Sequence, residues 1–406
     1  MVTSRRRFLA NSFTLGCSLA ASPLVTPITF ASILTDKRLV VIVLRGGMDA
    51  LDIVAPVADP LLIKYRPRIK HKDHLDLDGF FALHPELGDL MPMWKAGELA
   101  FVHAVATPYR GKRSHFDGQD LLEAGVPEVT STLRESGWMN RMLKLLPNVE
   151  KNTAFSVGRE NMLTLRGDLP TTNWAPESRV DLSEQGRLLL DVIFSKDPVF
   201  ADAGETAMTL TAQELDVRNS ISAEDEDMIE EALSKTETKA RAGKTKGLAA
   251  FVAKRLKEDT RFATFSVGGW DTHQRQGRTI KKAANELQSA LLTLKFELGP
   301  VWDKTTVVCM TEFGRTAREN GTGGTDHGTG GAMVMAGGAI KGRKIYGDWP
   351  GLDEADLYVR RDLMPTSDLR RYVGWLVHDM FGISQSDLST KVFPDLDMLK
   401  NPNLIL

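Results

Sequence analysis

Cysteine is nearly absent from this chain of 406 residues, which has only Cys17 and Cys309. Cys17 lies in a leader-like stretch, so a processed chain keeps one thiol and can form no internal disulfide. The same scarcity excludes zinc–thiolate clusters, which need several cysteines. An excess of one charge sign is lacking too: the formal net charge is −2, and loss of residues 1–31, with three Arg and no acid, would make it −5. A mildly acidic balance argues against nucleic acid as a partner. Beyond residue 35 no apolar run is long enough for a bilayer span, so a processed chain is expected to be soluble. There is no Gly-x-Ser-x-Gly elbow, no His-Glu-x-x-His pair and no Walker loop. Gly321-Thr322-Gly323-Gly324-Thr325-Asp326 misses the last position of the dinucleotide fingerprint and precedes a strand, not a helix. No repeat period or low-complexity tract is present. About 375 residues are left to fill one large domain.

The N-terminus reads as an address. Ser4-Arg5-Arg6-Arg7-Phe8-Leu9 fits the twin-arginine export pattern, and Phe8–Leu34 is free of charge. Thr29-Phe30-Ala31 supplies small residues for signal peptidase, which gives a leader over 1–31 and a periplasmic or secreted protein. The alternative is an uncleaved anchor; Pro23, Pro27 and the many hydroxyl residues weaken it. Thr14 is a poor residue for a lipoprotein box ahead of Cys17. The translocase would be the partner in export, and that route carries folded proteins, often with a cofactor in place.

Leu39-Val40-Val41-Ile42-Val43-Leu44 is an unbroken apolar run without alternation, as in a parallel strand covered on both faces. Similar runs occur at Leu99–Val105, Phe262–Val267, Thr305–Met310 and Ala332–Ala336. Between the third and fourth, Ile280, Ala284, Leu287, Leu291, Leu294 and Leu298 make one helical stripe. Strand, helix, strand gives a βαβ unit, hence a parallel sheet with ligands at its carboxyl edge. Ser367 to Phe381 reads as a closing helix. Residues 200–258, acidic then rich in Lys and Arg, read as a helical insertion outside the sheet, with a solvated charged face. The fold class is therefore α/β, a large mostly parallel sheet sandwiched by helices, in one domain over 36–406.

Carboxylate and imidazole recur beside glycine at the ends of these runs. Asp271 and His273 follow Phe262–Val267 through Gly268-Gly269; two apart on an extended segment, they share a side and can share an ion. Glu312 follows Thr305–Met310 in the same topological place. Arg315 is either its salt-bridge partner or a clamp for phosphate or sulfate. Asp326 and His327 sit in a glycine-rich loop ahead of Ala332–Ala336. Asp49, and with it Asp52, lies beyond Gly46-Gly47 after the first run. In Arg113-Ser114-His115-Phe116-Asp117, Ser114 is either a metal-activated nucleophile or a helix N-cap. His71, His74, His84, His103 and His378 lack such a setting and read as surface or satisfied core residues.

Read in order, the leader, Gly46-Gly47-Met48-Asp49, Arg113-Ser114-His115-Phe116, Gly268-Gly269-Trp270-Asp271-Thr272-His273, Thr311-Glu312-Phe313-Gly314-Arg315-Thr316 and Gly324-Thr325-Asp326-His327-Gly328 resemble a known group. It is the exported bacterial family catalogued as domain of unknown function 1501. The resemblance runs from about residue 36 to the C-terminus. That family is similar to the alkaline phosphatase and sulfatase superfamily, whose fold is a large parallel-sheet α/β sandwich and whose site holds two metals around a Ser or Thr nucleophile.

Carried over by order, the resemblance implies Asp49 as the first-strand ligand, Ser114 as nucleophile, Asp271 with His273 as the third element, and His327 as the last His. Glu312 stands at the next strand end, but Phe313 occupies the place of its partner His. Asp326 or His115 then compensates, or one metal is held, or there is no catalysis. The implied protein is a hydrolase of a small anionic phosphate or sulfate ester. It would use one or two divalent ions, zinc or similar, on Asp49, Asp271, His273, Glu312, Asp326 and His327, with Ser114, Arg113 and Arg315 in catalysis. The other implied protein is a non-catalytic, metal-stabilised scaffold of the cell envelope.

Overall fold

The central strand β1, Arg38–Arg45, has every residue from Arg38 to Leu44 buried. Its side chains alternate between two interiors: Val40, Ile42 and Leu44 enter one core cluster with the long helices, while Leu39, Val41 and Val43, equally buried, face the other side. A strand covered on both faces is a sandwich centre, at roughly 1.5–3 kcal/mol for each fully buried large aliphatic side chain. The structure is a computed structural model that describes residues 35–132, 134–158, 162–174 and 239–406. The leader over 1–31 and residues 200–238 of the expected insertion lie outside the described residues.

The main sheet also contains β2, Leu99–Ala106; β3, Ala154–Val157; β4, Thr172–Trp174; β5, Phe262–Gly268; β6, Thr305–Met310; β7, Gly331–Ala336; β8, Lys344–Tyr346; and β9, Ser367–Asp368. Their order is β8-β2-β7-β6-β1-β5-β3-β4, with β9 also on β2. β1 is parallel to β5 and to β6, and β3 is parallel to β5. One strand differs from the sequence expectation: β7 is antiparallel to both β6 and β2. The loop after β6 never leaves the carboxyl edge, so the chain re-enters the sheet there and runs back. The residues just ahead of β7 are thereby delivered to the edge where β1, β5 and β6 end.

Helix α1 spans His115–Ala124, α2 Lys239–Lys257, α3 Gln276–Leu298 and α4 Leu369–Phe381. The stripe Ile280, Ala284, Leu287, Leu291, Leu294 and Leu298 is the buried face of α3. Ala249, Phe251, Val252 and Leu256 of α2 join the same core, so this end of the 200–258 segment is a packed layer of the domain. On the opposite face the ring of Phe381 lies 4.8 Å from that of Phe262. α4 begins two residues later than read, because Asp368 caps it by accepting the Arg370 N–H. Among the described residues no helix is long and apolar enough to cross a membrane.

His103 on β2 is a satisfied core residue. Its Nε2–H donates to the Val54 carbonyl at 3.0 Å and its Nδ1 accepts the Ala104 N–H at 3.0 Å, an arrangement only the neutral ring can make. Burial pushes it down to about 4, against the pull of the Val54 and Ala50 carbonyls. The folded value lies below the unfolded one, so the unfolded chain takes up a proton first as pH falls. Stability is whole above about 6.5 and drains away down to about 4, a loss on the order of 3 kcal/mol. His103→Gln, whose amide can make both bonds, should show a flatter fall in unfolding midpoint across that window. Parallel curves for the two proteins would refute the assignment.

Candidate metal centre

Two close backbone approaches build the site. Gly46 has φ +121°, and a Cβ there would lie 2.5 Å from the Asp271 nitrogen, so the turns after β1 and β5 can touch only through glycine. A Cβ on Gly324 would meet the His273 carbonyl carbon at 2.3 Å, which seats the loop ahead of β7 on the loop after β5.

Four ring and carboxylate groups converge above these turns. His273 Nε2 is 2.9 Å from His327 Nε2, and Asp271 Oδ1 lies 3.1 Å from the first and 3.2 Å from the second. His115, at the first turn of α1, brings its Nε2 to 3.4 Å from Asp271 Oδ2. Donors bound at roughly 2.0–2.2 Å to a tetrahedral ion sit about 3.3–3.5 Å apart, close to this spacing. His115, Asp271 and His327 alone place their ligand atoms within 4.8 Å of one another.

The far side of every ring is spoken for. His115 Nδ1–H donates to Glu312 Oε1 at 2.8 Å, His273 Nδ1–H to Asp326 Oδ1 at 3.2 Å, and His327 Nδ1–H to the Arg113 carbonyl at 2.9 Å. Protons held at Nδ1 turn the three Nε2 atoms toward the Asp271 carboxylate, where either a further proton or a metal ion relieves the crowded lone pairs. His115 Nε2 is buried and has no hydrogen-bond partner of its own. The residues therefore fit a divalent ion of the zinc class, which nitrogen and carboxylate donors hold well. The Asp271 contact, then Glu312, pushes His115 up to about 9, so a proton and a metal compete for the same lone pair. Burial alone would raise Asp271, but its contacts with His115, His327 and Arg315 outweigh it and hold the carboxyl well below the usual range.

Several expected site residues have other work. Asp49 is not at this point: its carboxylate takes the Arg66 guanidinium at 2.7 and 3.0 Å and Gln276 Nε2 at 2.6 Å, and it caps Ala50–Ile53. It follows the right strand, but the turn through Gly46-Gly47 aims it into the interior. Glu312, expected as a ligand, is fully buried, and its Oε1 accepts from Gly46 N, His115 Nδ1 and Gln119 Nε2. It orients His115, and these contacts hold it below the carboxylate range against its burial. Asp326, half exposed, does the same for His273.

Arg315 is neither paired with Glu312 nor open to an anion. Its donors meet the buried carbonyls of Gly47, Gly46, Trp270 and Thr325, and Asp271 Oδ1. Arg113 pairs with buried Asp362 at 2.8 Å. Ser114 caps α1, its Oγ accepting the Asp117 N–H at 3.5 Å. Sequence reasoning named His115 only as a substitute ligand. It passed over Gln276, whose Oε1 accepts Thr272 Oγ1 at 2.9 Å and Thr325 Oγ1 at 2.7 Å and so ties the two ligand loops together. Nothing in the pattern of an amphipathic helix start marks such a glutamine.

Residues 109–389 match the family described as Protein of unknown function (DUF1501). A comparison with curated protein sequences gives no match. Among solved structures, the chain is similar to a protein in the alkaline phosphatase superfamily from Vibrio parahaemolyticus, at 13% identity and a TM-score of 0.36, over 77% of this chain and 63% of that one. It thus spans less than two thirds of that protein's length. It is also similar to the C-terminal periplasmic domain of EcEptC from Escherichia coli, at 10% identity and a TM-score of 0.39, over 91% and 92% of the two chains. The same domain in complex with Zn gives 9% identity and a TM-score of 0.36, again over 91% and 92%. Likeness this loose leaves the chemistry of this chain to its own residues.

Proposed function

We propose, from the premise that this chain belongs to the family described as Protein of unknown function (DUF1501), that it is a metal-dependent hydrolase of phosphate or sulfate esters exported by the twin-arginine route to the periplasm or beyond. The observation that carries this reading is the convergence of three imidazole Nε2 atoms on Asp271 with each Nδ1 engaged behind. When bound, an ion of the zinc class would lower the pKa of a coordinated water or hydroxyl towards about 7 and draw charge from an ester oxygen.

The residues divide the remaining work. Asp271, His273, His327 and His115 hold the ion; Glu312, Asp326 and the Arg113 carbonyl hold the rings. Ser114, next to His115, is the hydroxyl nucleophile of this reading. Its 3.5 Å cap is long enough to be given up to a substrate. Because the Arg315 nitrogens are engaged and buried, neutralising the anionic ester falls to the ion, with Arg113, about a quarter exposed, as the more accessible guanidinium.

A second reading is the non-catalytic envelope scaffold. It is favoured by Phe313, whose ring lies 5.0 Å from His115 and 4.9 Å from His327 and covers the flank where a further ligand would stand. Elemental analysis of the purified protein, with a phosphomonoester, phosphodiester and sulfate ester panel, separates the two. The hydrolase should contain metal and turn over one ester class, and His273→Ala/His327→Ala should lose turnover together with the metal of this centre. Ser114→Ala should lose turnover and keep the metal. Metal without turnover on any ester selects the scaffold, and full turnover by the double variant removes the proposal.

A further inference from the structure

Buried charge does not balance beneath the first strand's turn. Asp49 and Asp52 are each about 1% exposed, and the one guanidinium among them, Arg66, is committed to Asp49 through both of its Nη atoms. Asp52 receives Gln276 Nε2 on Oδ2 at 2.8 Å. Its Oδ1 is left facing two imidazole nitrogens, His74 Nε2 at 3.4 Å and His71 Nδ1 at 3.6 Å, both longer than good hydrogen bonds. His74 gives its Nε2–H to the Asp52 main-chain carbonyl at 2.8 Å, which leaves its Nδ1 lone pair for an ion, and His84 Nδ1 takes the Glu86 N–H at 3.2 Å, a long bond that an ion would replace. A buried carboxylate without a cation is costly, so one is wanted here.

The imidazoles around it do not all supply that charge. Burial outweighs the pull of Asp52 and keeps His71 at about 3, and it lowers His84 in the same way. Burial also opposes ionisation of Asp52, yet the contacts around it, that of His74 first, keep the carboxyl below its ordinary range. Two ring nitrogens, His71 Nε2 and His74 Nδ1, are buried and have no hydrogen-bond partner. Ligand atoms of Asp52, His74 and His84 lie within 4.8 Å of one another, and the rings of His71 and His84 stand 4.9 and 5.1 Å from that of His74. A cavity of about 440 Å³ bounded by Leu62 and Ile69 reaches His71 and His74, which gives an ion a way in.

We propose that Asp52, His74 and His84, with His71 beside them, form a second binding site for a divalent transition-metal ion of the zinc class, separate from the Asp271 centre. Nitrogen-rich donors with one carboxylate favour such an ion over calcium or magnesium. This site does not depend on the function proposed above. Gln276 links the two places, since its Nε2 donates to Asp49 and Asp52 while its Oε1 holds Thr272 and Thr325.

Cobalt(II) is the probe, titrated into metal-free full-length chain and followed by its visible absorption. Wild type should saturate at two equivalents, His273→Ala/His327→Ala at one, and His74→Gln at one with a different spectrum. Saturation of wild type at a single equivalent that the His273→Ala/His327→Ala protein loses would overturn the proposal, and so would two equivalents on His74→Gln. A single equivalent lost by His74→Gln and kept by His273→Ala/His327→Ala would instead uphold this site and remove the Asp271 centre. If His74→Gln does not fold, the count on His273→Ala/His327→Ala decides: one equivalent supports the site and none overturns it.

Discussion

Asp271→Ala is expected to weaken metal binding at its centre by more than the roughly 10–100-fold that loss of a supporting residue costs, and Glu312→Gln by an amount within that range. Asp271 is the single group that touches every other member: its Oδ1 is 3.1 and 3.2 Å from the Nε2 atoms of His273 and His327, and its Oδ2 is 3.4 Å from that of His115. Without it the ion would sit on neutral nitrogens alone. Glu312 acts one step away, through the 2.8 Å bond to His115 Nδ1, so its amide variant keeps the geometry and weakens the hold on the ring. Competition with a chelator of known affinity gives both numbers. Equal losses would mean that Asp271 supports the site and does not bind the ion. Asp271→Ala should stay folded, because Arg315 keeps its bonds to the carbonyls of Gly46, Gly47 and Trp270.

Arg66→Met is expected to cost about 3–5 kcal/mol of stability, the penalty for stranding one partner of a buried pair. Both side chains are sealed, at 0% and 1% exposure, and the guanidinium also bonds the carbonyls of Ala317 and Thr316. Adding Asp49→Asn should restore much of the loss by removing the stranded charge, a coupling that a double-mutant cycle reads directly from unfolding midpoints. A double variant no more stable than Arg66→Met would show that the carbonyl contacts, not the pair, carry the energy. Metal affinity at the Asp271 centre should fall as well, since Asp49 is one of the two carboxylates anchoring Gln276.

Much of this arrangement was legible in the chain itself. Apolar runs without alternation marked β1, β5 and β6 because a strand covered on both faces has no polar side to show. The stripe from Ile280 to Leu298 marked α3 because its spacing matches the helical turn. Asp271, His273 and His327 stood out since each follows or precedes such a run beside glycine, where short polar side chains reach the sheet edge.

Which carboxylate faces the imidazoles was decided only by folding. Asp49 and Glu312 leave their strands in the same way as Asp271, yet the turn through Gly46-Gly47 sends one inward to Arg66 and backbone and ring donors draw the other under His115. The direction of β7 has the same origin, since a loop of glycines can turn back along an edge as easily as cross the sheet. His115 gains its role from where α1 docks, and His71, His74 and His84 gain theirs from a fold that closes around Asp52. Local patterning reports which side chains can be buried or bent, a property of neighbours in sequence. Which lone pairs meet, and which charge lacks a partner, depends on contacts across hundreds of residues, and packing alone fixes those.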